Sequence, residues 1–209
     1  GDLYVRPYFF KERLVSVRMM PFSVTVRYRS TGKLIGRLDI ADLTLRDDHP
    51  LLKDGPRQYP AAHDGNRLVL NGSGYYIMLD IQNMRTVWKR LMDATANSSV
   101  LMELKGDYLA IVKQDYDVES IYMFDSRTGR LLWKTDPKNP GSPQPLYSMR
   151  IRGDKLFGIR VHPGQGFYFA GIDCRTGRHL FRQKTQTGYR TTPEVRLRKD
   201  FYGKYLAAE

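Results

Sequence analysis

The chain has 209 residues, 41% of them hydrophobic and 12% aromatic, and a formal net charge of +12. Those values suit a folded domain and exclude a disordered chain. No run approaches the roughly 20 apolar residues of a membrane-crossing helix, and a single cysteine excludes an internal disulfide framework.

In chain order, the first unit opens with a turn and strand at Lys11-Glu12-Arg13-Leu14-Val15 and carries Tyr28-Arg29-Ser30-Thr31-Gly32-Lys33-Leu34-Ile35-Gly36 further on. The second opens with Gly65-Asn66-Arg67-Leu68-Val69, continues through the strand Tyr75-Tyr76-Ile77-Met78-Leu79, and reaches Asp80-Ile81-Gln82-Asn83-Met84-Arg85-Thr86-Val87-Trp88. The third repeats the scheme with Gly106-Asp107-Tyr108-Leu109-Ala110, Ser120-Ile121-Tyr122-Met123-Phe124 and then Asp125-Ser126-Arg127-Thr128-Gly129-Arg130-Leu131-Leu132-Trp133. The fourth has Gly153-Asp154-Lys155-Leu156-Phe157 and Asp173-Cys174-Arg175-Thr176-Gly177-Arg178-His179-Leu180-Phe181. A fifth unit opens at Tyr202-Gly203-Lys204-Tyr205-Leu206.

Copies of the nine-residue phrase start about 45 to 52 residues apart, the period of propeller blades. Gly-Asp and Gly-Asn pairs are hairpin chemistry, and the segments between them are short and β-rich with no sustained helical period. The expectation is an all-β chain: a β-propeller of four-stranded antiparallel blades, four in number plus the start of a fifth, forming one domain or propeller fragment over 1–209. An open arc is expected to leave an apolar blade face at each end. Further blades or a second copy then close the ring, with a compact four-bladed closure as the competitor. The chain begins with Gly1 and shows no leader pattern, as expected of a processed or recombinant chain whose targeting segment, if any, is left out.

Each residue type in the phrase has a structural task. Asp80, Asp125 and Asp173 suit an Asx-type turn, with Thr128 and Thr176 as weaker helpers. Gly129 and Gly177 supply a left-handed backbone position. Trp88, Trp133 and Phe181 offer a large apolar surface to a neighbouring blade, each worth about 1.5–3 kcal/mol when buried.

The pattern Asp-x-x-Thr-Gly-x-x-x-Trp resembles the tryptophan-docking repeat of the pyrroloquinoline-quinone-type propellers. The match is strong at 125–133, good at 173–181, and partial at 80–88, where Asn83-Met84 stands for Thr-Gly. At 28–36 both the Asp and the Trp are replaced, by Tyr28 and Gly36. That group includes quinoprotein alcohol dehydrogenases and a non-enzymatic propeller lipoprotein of outer-membrane assembly. The resemblance implies an extracytoplasmic setting, periplasmic or secreted, which the residues themselves do not fix. It leaves function open, because one scaffold serves several roles.

Quinoprotein dehydrogenases of this group hold their quinone under a vicinal disulfide beside calcium and a catalytic Asp. Here no Cys-Cys pair exists, Cys174 falls in a repeat turn, and no acidic position matches the catalytic one. No catalytic, cofactor or metal residue is therefore assigned. Asp47-Asp48-His49 lacks a second ligand set. His63, His162 and His179 are scattered without a shared motif, and Gly164-Gln165-Gly166-Phe167 lacks the helix and Lys-Ser/Thr of a phosphate loop. The remaining candidate is cationic. Arg supplies about two-thirds of the positive residues, and Arg suits carboxylate, phosphate and aromatic partners. Arg127, Arg130, Arg175, Arg178, Arg29 and Lys33 flank the repeat turns, so a propeller gathers them on one face able to steer an anionic partner. Arg182, Lys184, Arg190, Arg196, Arg198 and Lys199 extend the basic character toward the C-terminus.

The reading is a non-catalytic binding or scaffold module for a protein or polymer partner, without cofactor. Two alternatives stand beside it: a fragment of a quinoprotein-like dehydrogenase with its site in other blades, and an anionic-polymer binder using the Arg-rich face. Nucleic acid ranks last among partners, since no aromatic-plus-Gly recognition motif is present.

Overall fold

The computed structural model describes residues 7–19, 22–40, 61–72, 75–91, 99–115, 118–136, 146, 148–162 and 166–184. Asp47-Asp48-His49, Gly164-Gln165, the fifth-unit signature at 202–206, and Arg190, Arg196, Arg198 and Lys199 lie outside them.

The described residues form sixteen strands in four separate four-stranded antiparallel sheets, as the repeat predicts. Blade 1 is β1 (Tyr8–Phe10), β2 (Arg13–Met19), β3 (Phe22–Tyr28) and β4 (Leu34–Asp39). Blade 2 is β5 (Ala61–Asp64), β6 (Arg67–Gly72), β7 (Tyr75–Asp80) and β8 (Arg85–Leu91). Blade 3 is β9 (Ser99–Lys105), β10 (Tyr108–Asp115), β11 (Val118–Asp125) and β12 (Leu131–Lys134). Blade 4 is β13 (Ser148–Arg152), β14 (Lys155–His162), β15 (Gly166–Asp173) and β16 (His179–Lys184). Every strand pairs with its neighbour in sequence. Such meanders place the first and third hairpin turns at one end of each sheet.

Strand periodicity sorts side chains between the two faces of a blade, and the core sits between blades. Blade 1 sends Val15, Val17, Val24 and Val26 against Leu68, Leu70, Ile77 and Leu79 of blade 2. Blade 2 sends Val69 and Met78 against Leu109, Ile111 and Phe124 of blade 3. Blade 3 sends Ala110, Val112, Ile121 and Met123 against Met149, Ile151, Leu156 and Ile172 of blade 4. Blades 2 and 3 are apolar on both faces, which is why segments such as Ile77-Met78-Leu79 read as continuous hydrophobic runs.

A register shift recurs between the third and fourth strands of each blade: at Val26/Arg27, Met78/Leu79, Met123/Phe124 and Gly171/Ile172. Each falls just before the nine-residue phrase. A bulge there bends the outer strand and re-aims the side chains that follow.

Candidate functional site

The repeat turn is built by its first residue. Asp125 Oδ1 accepts the backbone N–H groups of Arg127 at 2.9 Å and Thr128 at 3.0 Å. Asp173 Oδ1 takes those of Arg175 at 3.0 Å and Thr176 at 2.7 Å, together with the Thr176 hydroxyl at 2.8 Å. Asp80 does the same for Gln82 and Asn83. Gly129 and Gly177 adopt φ of 68° and 72°, a left-handed backbone that costs a non-glycine residue about 1–2 kcal/mol. At Asp173, hydrogen bonds from the Thr176 hydroxyl and N–H hold the carboxyl below its ordinary range, against burial. At Asp125 and Asp80 burial pushes the carboxyl up, but the turn's donors outweigh it and the net shift is downward.

Each third-hairpin turn is tied to the first-hairpin turn of its own blade. Ser126 N donates to Asp107 O at 2.8 Å, Cys174 N to Asp154 O at 2.7 Å, Ile81 N to Asn66 O at 2.8 Å, and Arg29 N to Glu12 O at 2.7 Å. The indoles then cross to the next blade. Trp88 Nε1 donates to Ser126 O at 2.9 Å, and Trp133 Nε1 to Cys174 O at 2.8 Å. Trp88 lies so close over Gly129, and Trp133 over Gly177, that a Cβ there would stand 2.7 and 2.8 Å from a ring carbon. Phe181 has no N–H to donate; its ring lies over Gly171 of its own blade and tilts against Phe157 and Phe169.

The junction of blades 2 and 3 also holds a polar network that the repeat pattern does not reveal. Arg67 Nη1 donates to Ser126 Oγ at 2.7 Å, while Nη2 reaches Gly106 O at 2.7 Å and Asp64 Oδ2 at 3.2 Å. Asp64 also accepts from Lys105 Nζ at 2.8 Å and Gly106 N at 2.9 Å. Burial raises the Asp64 carboxyl, but these donors outweigh it and hold the group below its ordinary value. Between blades 3 and 4 the corresponding positions are Tyr108 and Cys174. Burial pushes the Tyr108 hydroxyl up. The buried Cys174 thiol is pushed up to about 12 by desolvation and by Asp173 and Asp154. That thiol is inert at neutral pH.

Of the cationic candidates, Arg29, Lys33, Arg127, Arg130, Arg175 and Arg178 are all exposed and all sit on third-hairpin turns. Acids share that end of the sheets. Arg127 Nη2 is ion-paired with Asp107 at 2.6 Å, and Glu12 and Asp154 occupy the equivalent first-hairpin turns. Arg29 lies over the Phe9 ring at 5.3 Å. The end is thus mixed in charge, with exposed guanidiniums at Arg130, Arg175 and Arg178. The His63 and Phe10 rings meet at an interplanar angle of 65°, with centroids 4.5 Å apart. Among the described residues, no group of three or more His, Cys, Asp or Glu is placed to hold a metal ion, and no helix is long and apolar enough to cross a membrane.

Solved structures share this arrangement. The chain is similar to BamB from Moraxella catarrhalis, with TM-score 0.54 and 15% identity over 86% of this chain and 48% of that one. It is similar to a europium-containing methanol dehydrogenase, with TM-score 0.55 and 10% identity over 85% and 41%. It is also similar to a quinohemoprotein alcohol dehydrogenase from Pseudomonas putida, with TM-score 0.57 and 13% identity over 86% and 33%. The fold is that of a β-propeller. The chain spans less than half the length of each of these propeller structures. No protein-family description matches it, and no curated protein does.

Proposed function

We propose that this chain is part of a β-propeller that serves as a binding or scaffold module for a protein partner. The observation that carries this reading is how the polar groups of the repeat are engaged. The aspartates hold turns, Arg67 and Asp64 bridge blades, and the indole N–H groups dock, while exposed arginines decorate the turn end of the sheets. Arg is enriched at protein interfaces, where its planar fork meets carboxylates. BamB stands among the structural neighbours beside the dehydrogenases, and the likeness to each is one of fold.

A second reading has a specific observation in its favour: two neighbours are named as dehydrogenases. On that reading the chain is part of a quinoprotein-like enzyme whose chemistry resides in other blades. Purified full-length protein separates the two. The scaffold reading expects no quinone absorbance, no calcium-dependent dye reduction with alcohols, and recovery with a stoichiometric protein partner after cross-linking in its native host. Quinone absorbance together with calcium-dependent turnover would sink it. A partner that proves to be an anionic polymer, released steeply by salt, would replace protein by polymer in this proposal.

A further inference from the structure

The two faces of a blade can be compared position by position, and blade 1 breaks the rule the others follow. The face that receives the preceding blade is built from Leu68, Leu70, Ile77 and Leu79 in blade 2, all at most 1% exposed. In blade 3 it is built from Leu109, Ile111, Tyr122 and Phe124, and in blade 4 from Leu156, Gly158, Ala170 and Ile172. The same positions in blade 1 are Leu14, Ser16, Thr25 and Arg27. The repeat predicts an apolar face at this end; the face is instead polar and cationic.

Its composition is specific. The register sets Leu14 opposite Arg27 and Ser16 opposite Thr25, with Arg37 beside Thr25 and Asp39 beside Ser23 on β4; the end at Ser23 and Arg18 is covered, Ser23 being 2% exposed and Arg18 Nε buried. Arg27 and Arg37 are exposed. Arg27 Nη1 donates to Gly32 O at 3.1 Å, which fixes the guanidinium while leaving further N–H groups to donate elsewhere. Arg37 Nε meets Asp39 at 2.8 Å in a solvent-exposed pair of small net worth. Phe9, 57% exposed, lies opposite Leu14, and Leu34, 50% exposed, lies opposite Arg27. An apolar blade packed here would bury guanidiniums without anionic partners, a desolvation that nothing on that blade would compensate.

We infer that this face of blade 1 is a docking surface for a carboxylate-bearing protein surface, in contrast to the apolar faces that seat a neighbouring blade. Arg27 and Arg37 would meet carboxylates, Phe9 and Leu34 an apolar spot, and the Ser16 and Thr25 hydroxyls the polar groups between. Aromatic and Arg side chains side by side are enriched at protein interfaces. Asp39 among the cations favours a mixed-charge protein over a polyphosphate, which it repels. The inference rests on the protein-binding reading above and adds to it a contact on the blade 1 face, apart from the turn arginines.

Two measurements on the full-length protein test it. The first uses a Ser16→Cys variant, which places a thiol at the centre of the face against the inert background of buried Cys174. Under native conditions the introduced thiol should take up a maleimide, and decaglutamate at low salt should slow the labelling. A thiol that reacts only after denaturation would show the face to be covered, and would overturn the inference. The second measurement is fluorescence anisotropy with labelled decaglutamate on charge-matched pairs. Arg27→Glu with Arg37→Glu should weaken binding by about tenfold, and Arg130→Glu with Arg178→Glu by less than about threefold. Arg27→Gln with Arg37→Gln, whose melting should match the parent, repeats the test without charge reversal and guards against a folding defect. Equal losses in both pairs would reveal only the field of the whole protein, and no binding by the parent would show no site; either overturns the inference. A loss confined to Arg130 and Arg178 overturns it too, while leaving the protein-binding reading intact at the turns. Tighter binding of a single-stranded RNA oligonucleotide through Arg27 and Arg37 would overturn it by reassigning the face to nucleic acid.

Discussion

The junction of blades 2 and 3 and the junction of blades 1 and 2 use the same positions to different ends. At the first, an indole crosses the gap, lies on a glycine and donates to a turn carbonyl, while an arginine clips the two turns together. At the second, the tryptophan position is Gly36 and the glycine position is Met84, and the methionine side chain lies over the glycine in the reverse sense. A Cβ on Gly36 would stand 2.8 Å from Met84 Cγ. Met84 also adopts φ of 50°, a conformation that costs a side-chain-bearing residue about 1–2 kcal/mol. Arg13, which occupies the place of Arg67, has a buried Nη1 with no hydrogen-bond partner among the described residues; Ile81 stands where Ser126 offers its hydroxyl. The contrast shows that departures from a repeat come in matched pairs across an interface. A large side chain lost from one blade is supplied by the next, while the directed polar contacts are not restored.

The largest way to break the comparison is Trp88→Ala. It should destabilise the protein by about 3–5 kcal/mol in urea unfolding, well beyond Met84→Ala, because it removes both a packed indole and a directed hydrogen bond. Equal losses would mean that the methionine junction is as strong as the tryptophan one. Next comes the exchange of the two residues. Gly36→Trp and Met84→Gly should each destabilise alone, whereas the double variant should recover, with a coupling of about 2 kcal/mol in a double-mutant cycle. Additive effects would show that the two positions do not form one contact.

Ser126→Ala makes the strong junction resemble the weak one by removing the acceptor of Arg67 Nη1. A loss of about 1–2 kcal/mol is expected, and amide exchange should quicken along the neighbouring strands β6 and β10. Acid provides the gentlest discrimination. The folded-state carboxyls of Asp80, Asp125 and Asp173 are held below their ordinary value, so the native state binds fewer protons than the unfolded chain. Their contribution is complete above the unfolded value near about 3.9 and is lost as pH falls through the lower folded values. Blade 1 has Tyr28 at this position and contributes nothing of this kind. Urea midpoints between about pH 5 and pH 2 should therefore depend less steeply on pH in an Asp125→Asn variant; an unchanged slope would remove the turn carboxylates from the acid response.

The architecture was legible because turn chemistry is local. Nine residues carry the Asp, the Gly and the aromatic, and their recurrence sets the period. The exchange at Gly36 and Met84 was not, although both substitutions stood out, because the contact joins residues of different blades. The network of Asp64, Arg67, Lys105 and Ser126 was hidden for the same reason: nothing near Arg67 in sequence names its partners. The cationic face of blade 1 had left a trace. Val15-Ser16-Val17-Arg18 and Ser23-Val24-Thr25-Val26-Arg27 alternate apolar with polar, as a strand with one wet face does, whereas Tyr76-Ile77-Met78-Leu79 and Leu109-Ala110-Ile111-Val112 do not. The turn arginines stand out because the repeat frames them, while Arg27 and Arg37 flank the phrase on either side and fall in strands.

The consecutive order of strands within each sheet has a consequence for how the protein is made. No described strand waits for a partner that belongs to a later blade, so each sheet can complete its ladder as soon as its own fourth strand is available. Pairing partners separated by so few residues lower the entropy of loop closure and favour fast, local assembly. Each finished blade then offers the next an apolar template as it emerges during synthesis. Growth of this kind has a direction, from the hydrophilic face of blade 1 toward the phenylalanines of blade 4.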